Sequence, residues 1–244
     1  MKPVSLAVAA MLAGSAAAFA PASTSQGSKT ALNKMPERLW DSMVDKTERS
    51  KSVPFLPRAV NLDGSLPGDQ GFDPFYLSSI PKNFAGFIQP PSWEETKGIP
   101  TIYWMRESEV KHGRVAMLAW AGWVATDLGL RFPGDIYSVE NIPNAYNAHN
   151  ILVEQGSMTF LLLVVGLIEF CTGAVIVEVS KGESDREAGD FGLDPLKFIA
   201  GKSAQEQMTM KTKEINNGRL AMLAFGAVAT QTALGVEYQD FPYF

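Results

Sequence analysis

Glu109-Val-Lys-His112-Gly113-Arg114-Val-Ala-Met-Leu-Ala119 recurs in the same chain as Glu214-Ile-Asn-Asn217-Gly218-Arg219-Leu-Ala-Met-Leu-Ala224, with seven of eleven positions identical. A second pair of blocks precedes these in the same order, Gly68-Asp-Gln-Gly-Phe-Asp73-Pro74-Phe75 and Gly189-Asp-Phe-Gly-Leu-Asp194-Pro195-Leu196. Two blocks repeated in order predict two halves related by an approximate two-fold axis, with the unrepeated stretch between them outside the symmetry. Chance likeness between two Ala-rich helices would not preserve the Glu, Gly, Arg and Asp-Pro that the copies share.

The repeats lie in two long segments without internal proline, about 102–130 and 204–234, and a third such segment, 151–179, stands between them. Each reaches or exceeds the ~20 residues needed to cross a bilayer. The middle segment is the plainest span, uncharged over 158–168, interrupted by Glu169, and uncharged again over 170–177. The outer two carry charge in their leading halves and on hydropathy alone also suit soluble helices. Loop charge favours the membrane. Lys and Arg number eight over 31–100 and four in the second connection, while the first connection has only Arg131 and the tail after Gly235 has none. With three spans, the basic segments fall on one side of the membrane and the others opposite. The reading is therefore an all-α membrane protein of three transmembrane helices, the first and third crossing under pseudo-two-fold symmetry and the middle one separate. Ser203 followed by Glu206 is a capping-box pattern that starts the third helix at Ala204.

Composition bounds the class only loosely: 244 residues, 46% hydrophobic and 19% charged, suit a soluble domain or a small membrane bundle. A net charge of -5 leaves no basic surface of the kind that nucleic acid requires. The single cysteine, Cys171, lies in an apolar run and reads as a small buried residue. Residues 34–100 contain frequent Pro and Gly, including Pro54, Pro57, Pro67 and Pro74, and read as an extended arm without a long regular element.

An ionised side chain at mid-bilayer costs at least ~2.5 to 3.5 kcal/mol and requires a partner. Glu109 and His112, three apart, share a helix face, whereas Arg114 lies ~140° around from Glu109 and cannot readily pair with it. If the helices cross at Gly113 and Gly218, which permit close backbone approach, symmetry brings Arg219 to Glu109 and Arg114 to Glu214. A paired Glu keeps a free carboxylate oxygen, and its neighbour on the same face is His112 in one half and Asn217 in the other. Each offers a lone pair to a metal. Isolated single ligands suit the Mg of a chlorophyll, which needs one axial ligand, better than a zinc centre, which needs a cluster. Two plainer readings stand beside this: an ion-pair lock without pigment, and helix-to-helix hydrogen bonds from His112 and Asn217. His149, at the start of the middle helix, reads as a solvated interfacial residue or a ligand. Trp104, Trp120 and Trp123 read as interface anchors or lipid-facing packing.

Glu-x-x-His/Asn-Gly-Arg-x-Ala-Met resembles the signature of the light-harvesting chlorophyll a/b and a/c-binding family. The resemblance covers both repeat helices, both Gly-Asp loops and, more loosely, the middle helix. It implies chlorophyll ligands at Glu109, His112, Glu214 and Asn217, with Arg114 and Arg219 as cross-helix partners. It also implies ligands at Gln231, seventeen residues after Glu214, and at Glu169 in the middle helix. Asp73, Pro74, Asp194 and Pro195 resemble loops that hold the ends of two carotenoids. The plant-type pattern has a second polar residue eight before its middle-helix Glu; here that position is Leu161, and one pigment site differs. The plant-type C-terminal helix with its histidine has no counterpart in residues 236–244. That short tail, Arg106-Glu-Ser-Glu and Arg131-Phe-Pro-Gly look like the red-lineage photosystem I antenna, a fucoxanthin chlorophyll a/c-type subgroup.

The resemblance implies a pigment scaffold, not an enzyme, carrying chlorophyll a, chlorophyll c and carotenoids such as fucoxanthin. Its partners would be a photosystem core, neighbouring antenna subunits and thylakoid lipid. Lys2 and the apolar run 4–18 read as a signal peptide, and the Ser-, Thr- and Ala-rich 19–33 as a plastid transit segment. The 34–100 arm would then lie on the stromal side, residues 101–235 would form the pigment-binding domain, and 236–244 a lumenal tail. Two rivals accompany this reading: a photoprotective member of the family that quenches excitation, and a small transporter without pigment.

Overall fold

The computed structural model describes residues 37–80 and 101–234. The expected presequence (1–18 and 19–33), the second part of the arm (81–100) and the tail (236–244) lie outside the described residues. The chain divides into two compact units, 1–40 and 41–244. Of the first, only the opening residues of helix α1 (Glu37–Met43) are described.

Prolines keep the arm's regular elements short, as expected. Strand β1 (Val44–Arg49) pairs antiparallel with the three-residue β2 (Pro57–Ala59), Val44 standing opposite Ala59 and Asp45 opposite Arg58. Pro57 opens β2, where its missing N–H costs no ladder bond. Arg58 clamps the pair by reaching Asp45 at 2.6 Å and Glu48 at 2.8 Å. Met43, Val44, Ala59 and Tyr76 form the arm's small buried core.

The two repeat helices, α2 (Thr101–Asp127) and α5 (Ala204–Ala233), meet at their glycines. A Cβ on Gly113 would stand 3.1 Å from the Gly218 Cα, and one on Gly218 only 2.9 Å from the Gly113 Cα. Val110 and Ala116 of α2 are buried at the crossing with Ile215 and Ala221 of α5. Further along, Trp123 meets Phe225 edge-on at 6.0 Å, so this tryptophan packs inside the helix pair. The capping box is present: the Ser203 hydroxyl accepts from the Glu206 N–H at 3.4 Å and Glu206 accepts from the Ser203 N–H at 3.0 Å.

The middle segment departs from expectation. Instead of one helix over 151–179 there are two, α3 (Ala145–Glu154) and α4 (Ser157–Lys181), separated at Gln155-Gly156. Gly156 takes φ 82, a left-handed conformation that interrupts the helix cheaply only at glycine. Asn144 caps α3 by accepting from the Asn147 N–H at 3.0 Å. His149 consequently sits on α3, not at the head of the middle span.

Among the described residues α4 alone has the length and composition of a membrane span, and none of its apolar window is buried by protein. Leu162 and Leu163 are each 70% exposed and Phe170 is 77% exposed. Cys171 is exposed on the same helix, which corrects its reading as a buried residue. The reason is tertiary: an apolar run indicates an apolar surrounding, but not that protein provides it.

Candidate functional site

The crossing creates two matched ion pairs. Arg219 Nε donates to Glu109 Oε1 at 2.8 Å, and Arg114 Nε donates to Glu214 Oε1 at 2.7 Å. Each arginine then binds the loop that leads into the opposite helix: Arg219 Nη1 donates to the Gly68 carbonyl at 2.8 Å and Arg114 Nη1 to the Gly189 carbonyl at 2.7 Å. A planar guanidinium carries several donors in a fixed fork, which lets one side chain hold a carboxylate and a loop carbonyl together. The loops themselves repeat at the backbone level. Asp69 accepts from the Gly71 N–H at 2.7 Å and Asp190 from the Gly192 N–H at 2.8 Å. Tyr76 and Lys197, the non-glycine residues of positive φ among those described, take 55° and 54° at equivalent positions.

Around these pairs the candidate ligands face outward. His112 is exposed, and its Nδ1 lies 2.8 Å from the Ser108 carbonyl. A carbonyl only accepts, so Nδ1 carries a proton, and in the neutral imidazole Nε2 keeps the lone pair. Asn217 and Gln231 are exposed and make no side-chain hydrogen bond among the described residues. Neither His112 nor Asn217 bonds across to the other helix, which removes the helix-to-helix hydrogen-bond reading. Among the described residues no three His, Cys, Asp or Glu side chains gather as a metal cluster would require. The donors stand apart from one another.

Symmetry fails at the two glutamates. Glu214 keeps Oε2 free of polar contact among the described residues, as the sequence predicts. Glu109 does not, because Arg106 Nη1 donates to its Oε2 at 2.7 Å. Arg106 is buried, and its equivalent on α5, Lys211, turns away to pair with Glu187. Glu169, midway along α4, is bound by the Lys111 ammonium at 2.7 Å. In the Asp-Pro loops both carboxylates serve the following turn. Asp73 accepts from the N–H groups of Leu77 and Ser78, and Asp194 from those of Phe198, Ile199 and Ala200, all within 3.0 Å. These backbone bonds hold the Asp194 carboxyl below the usual carboxylate range. Pro74 is half-buried and Pro195 exposed beside them.

The sequence profile of the family described as Chlorophyll A-B binding protein matches residues 58–233, which take in both loops and both repeat helices. This chain belongs to the chlorophyll a-b binding family. The light-harvesting complex stress-related protein 3.2 of Chlamydomonas reinhardtii is 34% identical over 161 residues, 64% of this chain and 62% of its own length. A chlorophyll a-b binding protein, 1B-21, of Hordeum vulgare is 33% identical over 190 residues, covering 76% of this chain and 68% of that one. The fucoxanthin-chlorophyll a-c binding protein E of Phaeodactylum tricornutum is 34% identical over 137 residues, covering 54% and 66%. The chain thus spans a little under two thirds of the stress-related relative's length.

In this family member a second polar joint escaped the sequence reading. Glu107, 2% exposed, accepts from Arg186 Nη2 at 3.0 Å and from the Gly189 N–H at 2.6 Å. Arg186 is stacked over Phe191 at 4.7 Å and donates to the Asp190 carbonyl at 2.7 Å. At the equivalent place in the other half, the Gly68 N–H donates to the Thr212 hydroxyl at 3.3 Å. Glu107 was concealed because it belongs to no repeated position: the motif pairs it with a neutral threonine.

Proposed function

We propose that this protein is a three-span light-harvesting antenna subunit of a plastid thylakoid membrane, binding chlorophylls and carotenoids and delivering excitation to a photosystem, most favourably photosystem I. The observation that carries the reading is the reciprocal pair Glu109–Arg219 and Glu214–Arg114, each beside an outward donor, on helices whose apolar faces are left exposed among the described residues. Val115 and Leu220, at equivalent positions beside the arginines, are each 66% exposed, and Leu118 and Leu223 are 75% and 74% exposed. Apolar area of this kind is stable only against lipid or a large apolar ligand.

The residues fit the cofactor. Glu109, His112, Glu214, Asn217, Glu169 and Gln231 would each offer one oxygen or nitrogen to a chlorophyll Mg, and Arg114 and Arg219 would compensate the glutamates. Asp73, Pro74, Asp194 and Pro195 would shape the loops at the carotenoid ends. Bound pigment supplies the light absorption and the transfer of excitation. The chain's own part is to fix distance and orientation and to keep water away; no bond is made or broken by the polypeptide. The fucoxanthin-chlorophyll a-c relative supports chlorophyll a with chlorophyll c and a fucoxanthin-like carotenoid. The chloroplastic relatives and the uncovered α4 support the plastid membrane, with the basic arm toward the stroma.

A second reading, photoprotective quenching, is favoured by the stress-related names of several relatives. The test is to refold the chain with a total pigment extract and count chlorophyll per monomer. His112→Leu and Asn217→Leu should each remove about one chlorophyll from a folded protein, as one-ligand sites require. A monomer that folds with no chlorophyll contradicts the antenna reading.

A further inference from the structure

Glu169 poses an electrostatic problem that its own helix does not solve. It stands midway along α4, and the only basic residue of that helix is Lys181 in the last turn. The residue one turn on, at the spacing where a cation could pair with it along the same face, is Thr172. An unpaired carboxylate at that depth is expensive. Instead α2 reaches across. Lys111 Nζ donates to Glu169 Oε2 at 2.7 Å and to the Thr172 hydroxyl at 3.0 Å. The same ammonium lies 5.7 Å from the centroid of the Phe191 ring, in the Gly189–Leu196 loop. Glu169 Oε1 makes no polar contact among the described residues, and the glutamate is 58% exposed on the uncovered side of α4.

We propose that Lys111 is the positioning residue of a third ligand site: it binds Glu169 Oε2 and so turns Oε1 outward for a chlorophyll Mg, as Arg114 does for Glu214. The inference rests on the antenna reading. It also explains a difference between the repeats. The position equivalent to Lys111 on α5 is Asn216, which is neutral, so the cation stands on α2 alone and α4 is tied to one half of the pseudo-symmetric pair. A plain brace between helices would use the same contacts, and charge relocation separates the two roles. Thr172→Arg returns a cation to Glu169 from within α4 and rebuilds no bridge to α2.

The full chain and its variants are refolded with total pigment extract, and chlorophyll per monomer is measured together with helix content. Lys111→Arg should keep the wild-type count. Lys111→Met should lose about one chlorophyll, because a single axial ligand is lost, and Lys111→Met/Thr172→Arg should recover it. A Lys111→Met protein with the full count overturns the proposal, as does a double variant that stays as depleted as Lys111→Met; either result leaves Lys111 as a brace only. A wild-type chain that takes up no chlorophyll overturns the antenna reading instead.

Discussion

At Gly113 and Gly218 the two backbones are so close that a single methyl group from either side would enter the other helix. Gly218→Val should therefore separate the helices and weaken the fold by about 1 to 3 kcal/mol or more, seen as a lower melting temperature of the pigmented protein. The arginines next to these glycines are not equivalent, although the motif makes them look so. Removing Arg219 leaves Glu109 with Arg106, whereas removing Arg114 leaves Glu214 without any cation among the described residues. Arg114→Leu should accordingly cost more pigment and more thermal stability than Arg219→Leu, the difference being on the order of 2 to 3 kcal/mol for an uncompensated carboxylate at membrane depth. Equal losses in a melting series would show that Arg106 contributes nothing to Glu109. The cross-helix pairing was legible because the repeat and the 3.6-residue period together forbid Glu109 from meeting Arg114. Arg106 was not, since a charge outside the repeated core gives no sign of which way its side chain turns.

At the scale of elements, the loops before α2 and α5 are held by the same device, an aspartate that accepts from the turn following it. For Asp194 these backbone bonds depress the folded-state pKa below its unfolded value. The stabilisation is therefore complete above the unfolded pKa and is lost as pH falls through the folded one. Hydrogen exchange at the Ile199 and Ala200 amides should accelerate in that acid range relative to the intrinsic rate, and Asp194→Asn should flatten the dependence. An unchanged profile in the variant would place the acid sensitivity elsewhere. The start of α5 was readable because Ser203 and Glu206 mark it, whereas the cap of α3 at Asn144 was not read. The break at Gly156 was missed because an apolar periodicity on both sides hides one left-handed residue, and 151–154 was assigned to the wrong helix. The joint of Glu107 with Arg186 was hidden for another reason, since it links α2 to a loop far along the chain and follows no period.

For the whole molecule the main fact is how little of its apolar surface the chain covers by itself. Among the described residues the repeat helices bury a narrow seam at their crossing, and α4 is exposed along its apolar window. A protein built this way depends on what it binds, so removing pigment should reduce stability far more than any single substitution. The sequence signalled the apolar surface and the polar points set into it, while how little of that surface the described chain covers is seen only in the packing. On the antenna reading, the outward donors beside the ion pairs hold light-absorbing pigments at coupled distances. The most direct measurement is the fluorescence excitation spectrum of the refolded monomer, with chlorophyll emission recorded while the carotenoid band is excited. Chlorophyll emission should follow carotenoid absorption; a folded monomer that carries both pigments and shows no such transfer would overturn the antenna reading.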